Sequence, residues 1–169
     1  MTKKIFLSLF IIVIVVAASY VVYKKFIYKP PVHYHAGFHI YIDGKLQNYS
    51  STEFMHLKPC GAHENTGDKE DEQLEKAHLH DNVGDVIHVH RKGVIWNDVF
   101  TNLKVKLPDT KSITAYINAK QISEVKTYPV KPYDSLVLMI GKKDTAFLKE
   151  AVTIDHIKKN EKKSESCGS

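Results

Sequence analysis

The sequence is poor in cysteine and glycine, and most of it carries no net charge. Two cysteines and eight glycines in 169 residues exclude a disulfide scaffold and a collagen-like repeat. A hydrophobic fraction of 43% excludes a wholly disordered chain. Five of the 24 lysine and arginine residues lie in the first 29 positions, which leaves 19 to balance 19 acidic residues. A body without excess positive charge argues against nucleic-acid binding, which requires basic residues to displace counterions.

Several catalytic motifs are also missing. The sequence contains no G-x-S-x-G, no P-loop, no dinucleotide fingerprint and no H-E-x-x-H. It has no C-x-x-C pair, so a disulfide oxidoreductase is not indicated. A length of 169 residues predicts one compact domain with appendages rather than a two-domain enzyme. We therefore favour a protein that is not an enzyme.

A long apolar segment near the N-terminus predicts a membrane anchor. Residues 5–23 contain no charge and lie between the lysine pairs Lys3-Lys4 and Lys24-Lys25. A helix rises about 1.5 Å per residue, so this segment nearly spans a hydrocarbon core of about 30 Å. The alternative is a signal peptide cleaved near Ala17-Ala18-Ser19, but the apolar run continues past that site. We predict a single-pass anchor over 1–29 that contacts the lipid bilayer through residues 5–23.

Residues 30–143 are predicted to form one α+β domain. Alternation over Val32 to Ile42, followed by Asp43-Gly44, predicts a hairpin, and Ala77 to His90 predicts a second one. An amphipathic helix is expected near Trp96, then strands over 112–118 and 136–140. A closing helix is expected over 144–159, followed by a disordered tail over 160–169.

The order of elements from His78 to Gly141 resembles that of the small sulfur-carrier β-grasp proteins. This resemblance implies a β-grasp-like domain with an extra histidine-bearing hairpin at its N-terminus. Sulfur carriers end in a Gly-Gly tail, whereas this chain continues through Gly141-Lys142-Lys143. The resemblance therefore concerns the fold and implies no sulfur-carrier chemistry.

Histidine is the unusual feature of the composition. Nine of the ten histidines lie between His33 and His90. Strand residues at i and i+2 share a face, and in both predicted hairpins the histidines alternate with apolar residues. Pairing His78 or His80 with His88 places four imidazoles on one patch, and a shared sheet brings seven together. The predicted metal ligands on these strands are His33, His35, His39, His78, His80, His88 and His90.

The loop between the hairpins adds three candidate ligands. His56, Cys60 and His63 form an H-x3-C-x2-H pattern, in which Cys60 is equally well a buried apolar residue or a redox thiol. Neutral imidazoles suit a transition metal, with zinc or copper favoured and nickel or iron possible. Asp81 and Asp85 are expected to orient the rings, and His156, alone in the last helix, is expected to be an ordinary surface residue.

The motifs H-x-H-x3-H-x-Y-x-D-G, A-H-L-H-D-x-x-G and W-x-D-x-F resemble a group of small, histidine-rich, single-anchor prokaryotic membrane proteins. The function of this group is uncharacterised, and its members are sometimes labelled protein-disulfide-isomerase-like. The resemblance covers roughly His33 to Gly141 and implies an exported domain behind one anchor. No activity follows from it, and the lack of C-x-x-C argues against the isomerase label.

The favoured hypothesis is an extracytoplasmic metal-binding protein that captures or delivers a transition metal. Lysines flank the apolar segment on both sides, so orientation rests on the metal chemistry rather than on charge. Two alternatives stay open at this stage: a metal-dependent hydrolase or oxidase with a three-histidine open site, and a pH-gated interaction module. A membrane or exported protein partner is compatible with each hypothesis.

Overall fold

The computed structural model describes residues 2–27, 32–56, 69–108 and 112–164, which belong to two compact units, Met1–Pro31 and Val32–Ser169. In the first unit, helix α1 (Thr2–Val22) continues into a π-helical turn, Tyr23–Ile27. The stretch Ile5–Lys25 is long and apolar enough to cross a membrane, with a mean hydropathy of 2.9 and no buried residue in its apolar window. A signal sequence would also meet this criterion.

The second unit confirms the predicted mixed α+β class. Within its described residues, seven strands form one sheet: β1 (Tyr34–Ile42), β2 (Lys45–Leu46), β3 (Ala77–His78), β4 (Val86–Val89), β5 (Ile113–Ile117), β6 (Lys120–Ile122) and β7 (Ser135–Ile140). The strand order is β3-β4-β1-β7-β5-β6, and β2 pairs with the end of β1. The central strands β1 and β7 are parallel, and all other pairs are antiparallel. Strand β1 therefore lies inside the sheet, between the two halves of the predicted β-grasp segment.

The described part of the unit also contains the α-helices α2 (Lys69–Leu74), α3 (Trp96–Asn102) and α4 (Ile154–Glu161) and a 3-10 helix, Thr52–Phe54. The single helix expected over 144–159 is instead a 3-10 helix, Thr145–Glu150, followed by α4. The break occurs because the Thr153 hydroxyl accepts a hydrogen bond from the His156 amide and caps a new helix. Glu161, expected in the disordered tail, belongs to α4, and a further 3-10 turn, Lys162–Ser164, follows it.

The two faces of β1 have different neighbours. Its even-numbered residues Ala36, Phe38 and Ile40 are buried in the main core, which also contains Trp96 and Phe100 of α3. Its odd-numbered positions form the opposite face, which carries His35 and His39. Alternation in the sequence thus separates an apolar core face from a histidine face, as a strand with a period of two requires.

Gly37 lies between these histidines and allows the chain around α4 to approach the histidine face. A Cβ atom at this position would lie 2.5 Å from Cγ1 of Val152 and 3.2 Å from Cδ1 of Ile157. Val152 and Ile157 are buried there together with Val86 of β4. The missing side chain at Gly37 therefore brings the C-terminal helix against the strand that carries the histidines.

Candidate metal centre

Strand register aligns the histidines of three neighbouring strands. His35 of β1 lies opposite His88 of β4, and His88 lies opposite His78 of β3. The sequence predicts either His78 or His80 opposite His88 in the second hairpin, and the structure has the first of these two registers. Directly opposed residues in antiparallel strands point to the same side of the sheet. The pairing therefore produces a row of imidazoles across the β1, β4 and β3 strands.

His33, His35 and His88 form the closest group. Nε2 of His35 lies 2.9 Å from each ring nitrogen of His88, and Nε2 of His33 lies 3.5 Å from Nδ1 of His88. One nitrogen from each ring falls within 4.8 Å of the other two. His35 and His88 are 0% and 3% exposed, whereas His33 is exposed. The three rings therefore form a half-open group with two buried members and one at the surface, hereafter the histidine trio.

Four more predicted ligands extend the trio into one continuous cluster of rings. The ring centroids of His80 and His88 are 3.5 Å apart, and those of His33 and His90 are 5.0 Å apart. His78 lies 5.0 Å from His90, and His56 stacks on His78 at 4.5 Å. Among the residues that the structure describes, however, only the trio brings three nitrogens to metal-binding distance.

The other predicted ligands lie elsewhere. Cys60 and His63 fall outside the described residues. His39 lies further along β1 than the trio, with its Nε2 atom 3.9 Å from the Asp85 carboxylate. His156, expected to be ordinary, interacts with the same carboxylate from α4. The histidine face of β1 therefore carries two separate groups, of which only one is the trio.

Burial lowers the pKa of five of the clustered imidazoles. Burial, together with a smaller effect of charge on neighbouring histidines, lowers the pKa of His35 and His90 to about 4 and that of His78 to about 3. The pKa of His88 is lowered by burial and then by its histidine neighbours, and burial also lowers that of His33. At neutral pH these rings carry no positive charge, so their unprotonated nitrogens have lone pairs available for a metal ion.

Oxygen atoms face the Nδ1 side of several rings. Glu161 Oε1 lies 3.7 Å from His35 Nδ1, and the hydroxyl group of Tyr133 donates a hydrogen bond to Glu161 Oε2 at 2.9 Å. His80 Nδ1 lies 2.7 Å from Asp81 Oδ2, and His78 Nδ1 lies 3.0 Å from the Leu74 carbonyl. The acceptors at hydrogen-bond distance from Nδ1 of His80 and His78 favour a proton there and leave Nε2 as the lone-pair nitrogen, whereas Glu161 lies beyond hydrogen-bond distance of His35 Nδ1.

The sequence predicts the role of Asp81 but not that of Glu161 or Tyr133. Both lie far along the chain from the histidines, and no local spacing connects them to the strands. The only sequence signal was the weak amphipathic pattern that predicts a helix ending at 159, two residues before Glu161.

Comparisons with protein-family profiles, curated proteins and solved structures find no match to this chain. The chemistry of the site therefore has to be read from its own residues. Three neutral imidazoles suit zinc, copper, nickel or iron rather than calcium or magnesium. Three protein ligands also leave a coordination position for water or for an incoming ligand.

Proposed function

We propose that this protein is a membrane-anchored, extracytoplasmic protein that binds a transition metal ion through His33, His35 and His88 and captures or delivers it. The observation that carries the proposal is the convergence of three ring nitrogens within 4.8 Å, two of them on buried side chains. A hydrogen bond between two histidines accounts for the contact of His35 with His88. It does not account for a third nitrogen at the same point or for four further rings around it.

Zinc or copper are the metals that we propose for the trio, with nickel and iron as further possibilities. Imidazole is a ligand of borderline softness that binds all four of these ions. The trio offers no thiolate and no carboxylate, which favours an ion that accepts an all-nitrogen set. The exposed ring of His33 places one ligand where solvent or a partner protein reaches the ion, as transfer of a metal requires.

Binding is favoured over catalysis by the position of the nearest carboxylate. A metal-dependent hydrolase needs a general base beside the open coordination position. Glu161 faces Nδ1 of His35, and the hydroxyl group of Tyr133 bonds to its other oxygen. Glu161 therefore lies on the Nδ1 side of the His35 ring, and we infer that it orients this ring rather than activating water.

The anchor, the location and the family are part of the same proposal. The exposed apolar side chains of α1 support an uncleaved anchor, since none of the described residues of its own unit covers them. A metal-capturing surface behind such an anchor supports an extracytoplasmic body. A β-grasp-like fold is supported by the parallel pairing of the first and last strands at the centre of the sheet. The histidine motifs support membership of the histidine-rich single-anchor group.

The test is titration of the chelator-stripped, full-length protein in detergent micelles with Zn²⁺ and with Cu²⁺ at pH 7.5. We expect one tight equivalent, and EPR spectra of the Cu²⁺ form that show coupling to three imidazole nitrogens. H35N and H88N should weaken the tight event on the order of a hundredfold or more, because even indirect partners of a ligand contribute 10–100-fold.

H156N is the matched control, because His156 lies outside the trio and the substitution should leave the tight event unchanged. Absence of stoichiometric binding, or tight binding that survives both H35N and H88N, would contradict the proposal. Ester hydrolysis by the Zn²⁺-loaded protein that disappears in H35N would favour the hydrolase instead.

A further inference from the structure

We propose that Tyr133 is a positioning residue of the histidine trio. Its hydroxyl group holds the Glu161 carboxylate on the Nδ1 side of the His35 ring, so that Nε2 of His35 keeps its lone pair for the metal ion. Tyr133 belongs to the turn before β7, whereas Glu161 belongs to α4. The inference rests on the proposed function, because it concerns the same metal site.

The buried ring of His35 has one nitrogen that needs a partner. His35 is 0% exposed, and none of the described residues lies within hydrogen-bond distance of its Nδ1 atom. Oε1 of Glu161 lies 3.7 Å from this atom, so a movement of about 0.5–1 Å completes a hydrogen bond. Even before that movement, the negative charge of Glu161 favours a proton on Nδ1 over one on Nε2. The position of one carboxylate therefore decides which nitrogen of His35 is free for metal.

The hydroxyl group of Tyr133 fixes that carboxylate. It donates a hydrogen bond to Oε2 of Glu161 at 2.9 Å, which leaves Oε1 facing His35. The Glu161 side chain is 34% exposed and has several rotatable bonds, so without this bond it is free to turn toward solvent. The hydrogen bond also raises the pKa of Tyr133, so the hydroxyl remains a donor at neutral pH.

The backbone connects Tyr133 to the same histidine. The amide of Tyr133 donates a hydrogen bond to the carbonyl of His35 at 2.8 Å. Tyr133 therefore reaches His35 in two ways, directly through the backbone and indirectly through the Glu161 side chain. The hydroxyl group and the ring on which it acts are thus parts of one connected unit.

The conformation of Tyr133 indicates that its side chain has a specific task. The amide of Asp134 donates to the Lys131 carbonyl at 3.1 Å and closes a turn with Pro132 and Tyr133 at its centre. Tyr133 has a φ of +61°, and a positive φ after a proline in such a turn normally requires glycine. The carboxylate of the buried Asp134 holds the turn by accepting hydrogen bonds from the Lys131 amide and the Asn118 side chain, both at 3.0 Å. A tyrosine is therefore kept in a strained position that glycine would occupy without strain.

Packing explains the ring of Tyr133 but not its hydroxyl group. The ring packs against the buried cluster of Val86, Val152 and Ile157, and Nζ of Lys158 lies 5.6 Å from its centroid. A phenylalanine would keep both of these contacts. Substitution of Tyr133 by phenylalanine therefore removes the proposed role and leaves the packing of α4 in place.

The experiment is a Co²⁺ titration of the chelator-stripped, full-length protein in detergent micelles, followed by calorimetry. Y133F should weaken the binding of Co²⁺ by about threefold to tenfold, somewhat less than the 10–100-fold typical of a residue that faces a ligand directly. In the E161A background, Y133F should have no further effect, because the hydroxyl group acts through Glu161. Fluorescence of the buried Trp96 checks that each variant is folded.

Y34F is the matched control. The Tyr34 hydroxyl donates to the Val130 carbonyl at 2.8 Å, so this variant also loses one hydrogen bond between β1 and the loop before β7. Tyr34 packs against the main core, and its hydroxyl bond does not involve Glu161. The affinity of Y34F for Co²⁺ should therefore equal that of the wild-type protein.

The tautomer of His35 in the metal-free protein separates this proposal from the preceding one. Long-range ¹H–¹⁵N NMR spectra at pH 7.5, with H35N to assign the ring, should show a proton on Nδ1 in the wild-type protein and a mixture of tautomers in Y133F. This measurement needs no metal, so it tests the role of Tyr133 even where the trio fails to bind Co²⁺. An unchanged tautomer in Y133F overturns the proposal, as does an affinity that Y133F leaves unchanged, or lowers equally with and without Glu161.

Discussion

Acidification should destabilise the metal-free protein well above the pH at which its carboxyl groups titrate. The pKa of His35 is about 4 and that of His78 about 3 in the folded state, against 6.5 for a free imidazole. The unfolded chain therefore binds more protons than the folded chain below pH 6.5, and its free energy falls relative to that of the folded state. Stability is full above pH 6.5 and is lost as the pH decreases toward the folded-state pKa values.

The size of the effect follows from the width of this pH window. Each pH unit below 6.5 costs about 1.4 kcal/mol for each imidazole that stays neutral in the fold. His35 and His78 are 0% and 4% exposed, so both are shielded from solvent. Lowering the pH to 5 then costs about 2 kcal/mol for each ring and up to about 4 kcal/mol for the pair. This is a large fraction of the roughly 5–15 kcal/mol that stabilises a typical domain.

The assay is urea unfolding of the chelator-treated protein, monitored by fluorescence of Trp96, the single tryptophan, whose side chain is fully buried. With a urea dependence of about 2 kcal/mol per molar, these two rings alone should lower the midpoint by about 2 M between pH 7.5 and pH 5, and the lowered pKa values of His88 and His90 add to this shift. The range stops at pH 5 because burial raises the pKa of Asp134, and protonation of that carboxyl group acts in the opposite direction.

His78→Asn supplies the control for this prediction, since the amide group of asparagine can keep a hydrogen bond to the Leu74 carbonyl and does not titrate. The variant should lose the part of the pH dependence that His78 contributes, which is about 2 kcal/mol between pH 7.5 and pH 5. An unfolding free energy that stays constant or rises between pH 7.5 and pH 5 would refute the reasoning, because it would mean that the buried rings accept protons in the folded state.

Three further predictions concern other parts of the chain. E161Q removes the charge facing His35 and should weaken metal binding to the trio by about 10–100-fold in calorimetry, with little change in urea stability. G37A should destabilise the fold by about 1–3 kcal/mol in urea unfolding, because the new Cβ meets Val152 at 2.5 Å. V13K places a charge in the middle of the apolar helix and should move the protein from the carbonate-resistant membrane fraction to the soluble fraction.

The parts of the site that follow from local pattern were predictable. Period-two alternation separates histidines from apolar residues in β1 and β4, and it predicts which residues share a face. The turn sequence after His80 limits the second hairpin to a few registers, one of which pairs His78 with His88. All three trio members, His33, His35 and His88, thus belong to the histidine faces that the sequence alone predicts.

The local sequence pattern could not predict which strands pair when they lie far apart in the chain. Strand β1 pairs with β7 almost one hundred positions later in the chain, and this pairing makes β1 central instead of an added hairpin. The parity of His33, His35 and His39 is identical, so the sequence groups them together. In the structure, the packing of Val152 on Gly37 separates His39 from the other two. The sequence alone does not show this role of Gly37, because its contact with Val152 depends on the fold.

The roles of residues in the C-terminal helix α4 were also not predictable from the local sequence. Its residues His156 and Glu161 have no histidine neighbours in sequence, and a polar ending is typical of a solvated tail. Their roles depend on where α4 packs, which is fixed by the buried side chain of Ile157 and the gap at Gly37. Apolar contacts decide the position of the helix, and its polar residues reach the metal-binding face as a consequence.

Burial explains why a cluster of this kind suits a metal ion and also why it makes the metal-free fold sensitive to acid. A metal competes with protons for imidazole, and a ring whose pKa lies near 4 leaves the lone pair available at any pH above about 5. Because the pKa is low, the folded protein does not bind a proton at a pH at which the unfolded chain binds one. An ion bound by His35 and His88 satisfies those nitrogens without requiring water at the buried side of the sheet. A bound metal should therefore offset the acid sensitivity of the fold in mildly acidic solution, until protonation of the exposed ring of His33 weakens its binding.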